Sequence, residues 1–275
     1  MPKGMSLHVA LNRVDPGAYG GWSGDLVACE FDAEDMRAIC QSRGLEPTML
    51  MTADATSEAV LAAIDAAAAG LGEGDLFVLS YSGHGGQMPD TDGEESDRKD
   101  ETWVLYDRQV LDDELYQRWA SFAAGVRIVV LSDSCHSGSV VKAQLDAGGP
   151  AGSVLQDVFA GGRFMPKEIN DQDNDGRASL YERVRAGTPS EGEAPLAARV
   201  LLMSGCQDNQ TSSDGDRNGL FTATLREVWA DGKYKGGYRR FHGAIRRRMP
   251  PWQSPNLMIL NDAAGAFKRE RPFTI

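Results

Sequence analysis

Apolar positions along the chain fall into short continuous runs separated by stretches of helical period. Leu76-Phe77-Val78-Leu79-Ser80-Tyr81-Ser82 and Arg127-Ile128-Val129-Val130-Leu131-Ser132 are short, apolar and β-branched, which fits strands buried on both faces better than helices. Leu7–Leu11, Thr48–Met51, Thr102–Tyr106, Arg199–Ser204 and Asn256–Leu260 read as further strands. Helical patterns lie between them. One runs from Cys29 to Arg43 and ends at Gly44, with Asp32 a candidate N-cap. The others are Ser57–Ala69 capped by Thr56, Asp112–Phe122, Leu220–Trp229 and Tyr238–Met249. Strands alternating with helices predict an α/β fold with a mainly parallel sheet covered on both faces. Val14–Leu26 and the polar stretch Gly83–Glu101 read as loops. From Ser139 to Ala198 the pattern is weak and broken by Gly148-Gly149-Pro150, Gly161-Gly162 and Thr188-Pro189, so an irregular insertion is expected there.

Composition narrows the partners. A chain of 275 residues, 41% hydrophobic and 25% charged, can bury a sizeable core. A net charge of −12 disfavours nucleic acid and favours cationic ligands near acidic clefts. No apolar run approaches the roughly 20 residues needed to span a bilayer, so no membrane contact is expected. Met1–Leu11 carries one lysine and no long apolar segment, unlike a signal peptide, and a cytoplasmic location follows as the expectation. Cys29, Cys40, Cys135 and Cys206 are widely spaced, without a zinc-type pair, and are expected as free thiols. The basic run around Arg239-Arg240 and Arg246-Arg247-Arg248 reads as a solvated helix face.

Two strand ends carry the chemistry. The second long strand runs into Asp133-Ser134-Cys135-His136-Ser137-Gly138, and the first into Gly83-His84-Gly85-Gly86. If the strands are parallel, Cys135 and His84 emerge at one edge, where open α/β sheets place their ligand sites. A catalytic cysteine needs an accessible thiolate and a base within reach. His84 is the base by this geometry: His136 adjoins Cys135 and points away from it, His8 lies in a strand and His242 in the basic helix. Gly85 and Gly86 leave backbone N–H groups free, and those of Gly85 and Cys135 could hold an oxyanion. Strand-end placement alone leaves a buried structural cysteine equally open. Asp133 precedes Cys135 by two positions, so both side chains share a face.

Asp171 to Glu182 fits a twelve-residue EF-hand loop. Asp171, Asp173, Asp175 and Glu182 occupy positions 1, 3, 5 and 12, Gly176 the turn, and Arg177 the position that ligates through its carbonyl. Ca2+ is the expected ion, ordering the loop and taking no part in catalysis.

Ser-Gly-His-Gly at 82–85, followed 51 residues after the histidine by Asp-Ser-Cys-His-Ser-Gly, resembles the metacaspases among the caspase-like cysteine peptidases. Leu26–Ala33 is similar to the family's early Gly-Cys-x-x-Asp-Ala stretch, with Ala28 in place of the glycine. Ser204–Asp214 resembles the small-subunit signature, and Gln253–Leu257 suits the final strand. The resemblance implies a caspase-like three-layer sandwich around a mainly parallel six-stranded sheet. One domain is expected over 1–275: large-subunit-like over about 6–145, the insertion over about 139–198, and small-subunit-like over about 199–262. It also implies endopeptidase activity by a Cys135–His84 dyad through a thioester. Cys29, Asp32, Ser82 and Asp133 match the pocket for the residue before the cut, so cleavage after Arg or Lys of protein substrates is implied. Asp100, Asp112 and Asp113 match acids that bind an activating calcium in many metacaspases. The position expected for a fourth ligand falls on Val140, Val141 and Lys142. A monomer is expected. Lys142, Arg163, Lys167, Arg177, Arg183 and Arg185 offer self-cleavage positions within the insertion. The contrasting reading is a catalytically silent calcium-binding or scaffolding module that kept the fold.

Overall fold

A computed structural model describes residues 1–89, 99–134, 162–187, 195–206 and 213–275. Its centre is a six-stranded sheet in the order β2-β1-β3-β7-β8-β9. These strands are β1 (Gly4–Ala10), β2 (Glu46–Met51), β3 (Leu76–Ser82), β7 (Arg127–Asp133), β8 (Arg199–Ser204) and β9 (Asn256–Leu260). All neighbours are parallel except β8 and β9. A second, antiparallel sheet joins β4 (Gly85–Pro89), β5 (Lys99–Val104) and β6 (Gln109–Leu111).

Alternation along β3 and β7 feeds two cores, one on each face. Phe77, Leu79, Tyr81, Ile128 and Val130 point to one core. There they meet Val60, Leu61 and Ile64 of α2 (Ser57–Gly70) and Leu115 and Trp119 of α3 (Asp112–Ala120). Leu76, Val78, Val129 and Leu131 point to the other, against Met36 and Ile39 of α1 (Cys29–Ser42). The predicted layered α/β architecture is present.

Three local expectations are corrected. The stretch read as a loop over 83–101 contains β4 and the start of β5. Its glycines and polar residues lack the β-branched, alternating pattern that announces a strand, yet β4 pairs with β5 across this stretch. The insertion contains two helices, α4 (Lys167–Gly176) and α5 (Ala178–Gly187). Pro166 precedes the first turn of α4, where its missing N–H costs nothing. The remaining helices, α6 (Leu220–Trp229) and α7 (Tyr238–Arg246), lie where the apolar period puts them. Finally, Asp32 lies inside α1, whose N-cap is Ala28.

Tyr81 links the two sheets. Its ring stacks on Trp103 of β5 with centroids 4.4 Å apart, and its hydroxyl donates to the His84 carbonyl at 2.6 Å. Removing that hydroxyl leaves a buried carbonyl short of a donor. Tyr81→Phe should therefore cost about 1–2 kcal/mol in urea unfolding; an unchanged midpoint would show that the hydroxyl contributes nothing.

Candidate active site

β3 and β7 are adjacent and parallel, with Ser82 directly opposite Asp133. The segments leading to His84 and towards Cys135 therefore leave the sheet at the same edge, as the strand grammar requires. Cys135 and His136 themselves lie outside the described residues.

A ring of acids surrounds this edge. Asp32 from the first turn of α1 and Asp133 from the end of β7 are both buried. Asp32 accepts from the Ser82 hydroxyl at 2.8 Å and from Asn218 Nδ2 at 3.0 Å. Asp133 accepts from the Thr222 hydroxyl at 2.9 Å and the Thr222 amide at 3.2 Å. Asp214 adds a third carboxylate, held by the amides of Val27 at 2.7 Å and Ala28 at 3.2 Å.

The guanidinium of Arg163 fills the ring, and its residue is 0% exposed. Nη1 donates to Ser82 Oγ at 2.7 Å and to the Asp133 carbonyl at 3.2 Å, with Asp133 Oδ2 also at 3.2 Å. Nη2 reaches Asp32 Oδ2 at 2.8 Å and Asp214 Oδ1 at 2.9 Å, and Nε reaches Asp214 Oδ1 at 3.3 Å. Burial works against this charge, but the carboxylates outweigh it and hold the pKa well above the ordinary arginine range. Burial also pushes the Asp32 carboxyl up to about 6, against the pull of Arg163. Cys29 is buried beside the ring, and burial raises its thiol to about 12, which makes it an inert lining group. Gly219 closes the pocket: a Cβ there would stand 2.6 Å from Asp133 and 2.7 Å from Arg163.

All four pocket residues expected from the sequence thus converge, and the described histidines separate as anticipated. His8 is buried between the Ser80 and Ser6 hydroxyls, and His242 bonds the Pro255 carbonyl. His84 Nε2 lies 2.9 Å from the Gly24 carbonyl. That oxygen can only accept, so Nε2 carries the hydrogen and Nδ1 is the bare nitrogen. Nδ1 has no hydrogen-bond partner among the described residues. Trp22 lies over the ring at 4.9 Å between centroids. Gly24 has φ +56, and a Cβ there would meet Trp22 at 2.8 Å and His84 at 3.0 Å, so only glycine brings this carbonyl to the imidazole. Burial lowers the His84 pKa to about 4, with the Gly24 carbonyl pulling the other way.

The EF-hand-like expectation is corrected. Asp171, Asp173 and Asp175 lie along α4, and Glu182 is exposed on α5. Asp171 pairs with Lys167, and Asp173 with Arg177. Asp173 also accepts from Tyr181 and Gln109, each at 2.8 Å. Arg177 gives its side chain to the carbonyls of Ala18 and Asp107. Helical geometry puts Asp171 and Asp175 on one face and Asp173 on the opposite one, where a calcium loop would converge all three. Burial raises Asp112 well above the usual carboxylate range, and the charges of Asp100 and Asp113 add to this. Asp100 is paired with Arg185 at 2.6 Å. Among the described residues no three His, Cys, Asp or Glu side chains are grouped so as to hold a metal ion.

Nothing in the sequence pattern singles out Asn218, Gly219, Thr222, Gly24 or Trp22. Asp214 stood within a recognised signature run, which was the one available signal; nothing in the spacing links it to Asp32.

A family model described as caspase domain matches residues 14–263. Metacaspase-1 of Schizosaccharomyces pombe is 33% identical over 55% of this chain and 40% of its own length. Metacaspase-1A of Neurospora crassa is 29% identical over 71% of this chain and 49% of its own length. The chain spans about half the length of such curated relatives or less. A crystal structure of a protein from Geobacter sulfurreducens is 50% identical and covers 100% of this chain and 99% of its own, with a TM-score of 0.88. Caspase-1 from Spodoptera frugiperda shares the fold at a TM-score of 0.54 and 12% identity, covering 94% of this chain and 86% of its own.

His84 and His8 predict a pH dependence. Burial holds His8 at about 3 and His84 at about 4, while the unfolded chain titrates them near 6.5. Below that value the unfolded state binds more protons, so their contribution is complete above pH 6.5 and is lost as the pH falls towards 4. His8→Gln should flatten the stability slope between pH 6.5 and 4 by up to about 1.4 kcal/mol per unit. Urea titrations across that range check it; parallel curves for both proteins would contradict it.

Proposed function

The chain belongs to the caspase-domain family of cysteine peptidases, in its metacaspase-like branch, and from that premise we propose that it is an endopeptidase that cuts after arginine and, less well, after lysine. The observation that supports this most strongly is the complete engagement of the Arg163 guanidinium by Asp32, Asp133, Asp214 and Ser82. Three carboxylates around one cation leave the pocket with surplus negative charge, which repels an acidic side chain. A guanidinium offers three nitrogens in a planar fork and here uses all of them. A lysine ammonium is a single point and reaches only part of the ring.

In this reading Cys135 is the nucleophile and His84 its base. The neutral imidazole, with Nε2–H tied to Gly24, presents Nδ1 to accept the thiol proton. The thiolate adds to the carbonyl carbon of the substrate arginine. The oxyanion takes the Gly85 amide, and the Cys135 amide is its expected companion. His84 returns the proton to the leaving amine, and water hydrolyses the thioester.

Fluorogenic peptides ending in Arg, Lys, Asp or Asn test the specificity. Turnover should rank Arg above Lys, with Asp at background. Asp133→Ala should lower kcat/KM on the Arg peptide by about 100-fold or more, the scale of unpairing a buried charge. Asp214→Asn should narrow the Arg-to-Lys ratio. Labelling of Cys135 by an Arg chloromethyl ketone separates the enzyme from a silent module, which would leave that thiol unmodified.

A further inference from the structure

The basic residues of the insertion have different surroundings. Lys167 and Arg183 are exposed, Arg163 fills the acidic ring and Arg185 pairs with Asp100; Lys142 lies outside the described residues. Arg177, at the junction of α4 and α5, instead joins three distant parts of the chain. Its Nη2 donates to the Ala18 carbonyl at 2.7 Å and to the Asp107 carbonyl at 3.0 Å, and its Nη1 pairs with Asp173. The guanidinium lies 5.4 Å from the centre of the Tyr19 ring. Asp173 is buried and is fixed in turn by Gln109 of β6 and Tyr181 of α5. One guanidinium therefore ties the loop 14–26 to the turn between β5 and β6 and to the helix pair α4–α5.

From Ala18 the tie continues to the histidine. The Tyr19 hydroxyl donates to the Leu105 carbonyl at 2.7 Å. The Trp22 amide donates to the Tyr19 carbonyl at 3.1 Å, and the two rings meet edge to face with centroids 6.1 Å apart. Trp22 covers the His84 ring, and the Gly24 carbonyl takes its Nε2. Gln172 of α4 closes on the same limb: a Cβ on Gly20 would stand 2.7 Å from its Nε2. Residues 11–28 form no helix or strand. The path of this limb is therefore set by such ties and not by a regular ladder of backbone hydrogen bonds.

We propose that Arg177, held by Asp173, is a positioning residue for His84: it fixes the limb 18–24 so that Trp22 and the Gly24 carbonyl keep the imidazole in one orientation and one tautomer. This rests on the peptidase reading above and gives the helix pair α4–α5 a part in it. A fixed limb keeps the Nε2 hydrogen on the Gly24 carbonyl and leaves Nδ1 bare to accept a proton. A slack limb lets the ring turn and admits water, and the proton can then sit on either nitrogen. Arginine suits the position because one planar group must serve a carboxylate and two carbonyls together; a lysine nitrogen serves them less completely.

The test follows the His84 ring by NMR in a Cys135→Ala background and, with the thiol present, measures kcat and KM on an Arg peptide. Arg177→Gln, Arg177→Lys and Lys167→Gln are compared with the parent, and His84→Gln assigns the resonance. The charges that act on the imidazole, Arg163 and Asp214, stay in place in every form compared. His84 in the parent should titrate near 4. In Arg177→Gln the midpoint should rise towards the value of about 6.5 for a solvated imidazole. Its kcat should fall roughly 10- to 100-fold, the scale of a misplaced catalytic group, with KM little changed because the acidic ring is untouched. Arg177→Lys should lie between the two, and it carries the comparison if Arg177→Gln does not fold. Lys167→Gln, at an exposed position on the same helix, should match the parent. A His84 titration that stays put in the folded Arg177 variants, whatever their urea midpoints, shows a residue that only stabilises the fold and overturns the proposal. So does an equal shift in Lys167→Gln. A shifted titration without Arg-peptide turnover in any form supports the positioning of His84 and overturns the peptidase reading instead.

Discussion

A fully buried guanidinium is the constraint around which this edge of the molecule is arranged. Removing an arginine charge from water costs several kcal/mol unless carboxylates and further hydrogen bonds compensate. Here Asp32, Asp133 and Asp214 supply the charge, while Ser82 and the Asp133 carbonyl take the remaining hydrogens. The acids in turn need the cation. Asp32 is pushed up to about 6 by its burial, and Asp133 beside it adds to that rise. The two sides depend on one another: the buried cation needs the carboxylates, and the buried carboxylates need the cation.

The fold delivers these groups from distant parts of the chain by simple means. Parallel pairing of β3 with β7 sets Ser82 opposite Asp133 and sends His84 out at the same edge. Helix α1 presents Asp32 from its first turn, and the start of α6 brings Gly219 and Thr222 to the same carboxylates. The small sheet holds Gly85 in place through its pairing with Trp103. Tyr81, stacked on Trp103 and bonded to the His84 carbonyl, makes the histidine's backbone part of the junction between the two sheets.

Much of this was legible in the sequence. The β3 and β7 runs are apolar and β-branched because both faces are buried, so their strand state and the shared edge could be read directly. Asp32 was harder. An acid near a helix start ordinarily caps it, and only partners far away in sequence (Arg163, Ser82 and Asn218) show that this carboxylate is used elsewhere. The polar run 167–182 misled for the same reason. Acids at every second position suit a calcium loop, yet Tyr181 and Gln109 take Asp173 within a helical segment that no apolar period announces. Gly24 had no signal beyond being a glycine. Its role depends on a positive φ and on the close approach of Trp22 and His84.

The central claim is that this pocket is built to hold a guanidinium, and chemical rescue measures it without reference to turnover. In a Cys135→Ala background, Arg163→Gln removes the cation and leaves the acids facing one another. Its unfolding free energy should fall by about 3–5 kcal/mol. Benzamidine should restore a large part of that loss at concentrations where sodium chloride of equal ionic strength does not. Equal stability with and without Arg163, or a response to salt identical to the response to benzamidine, would contradict the account.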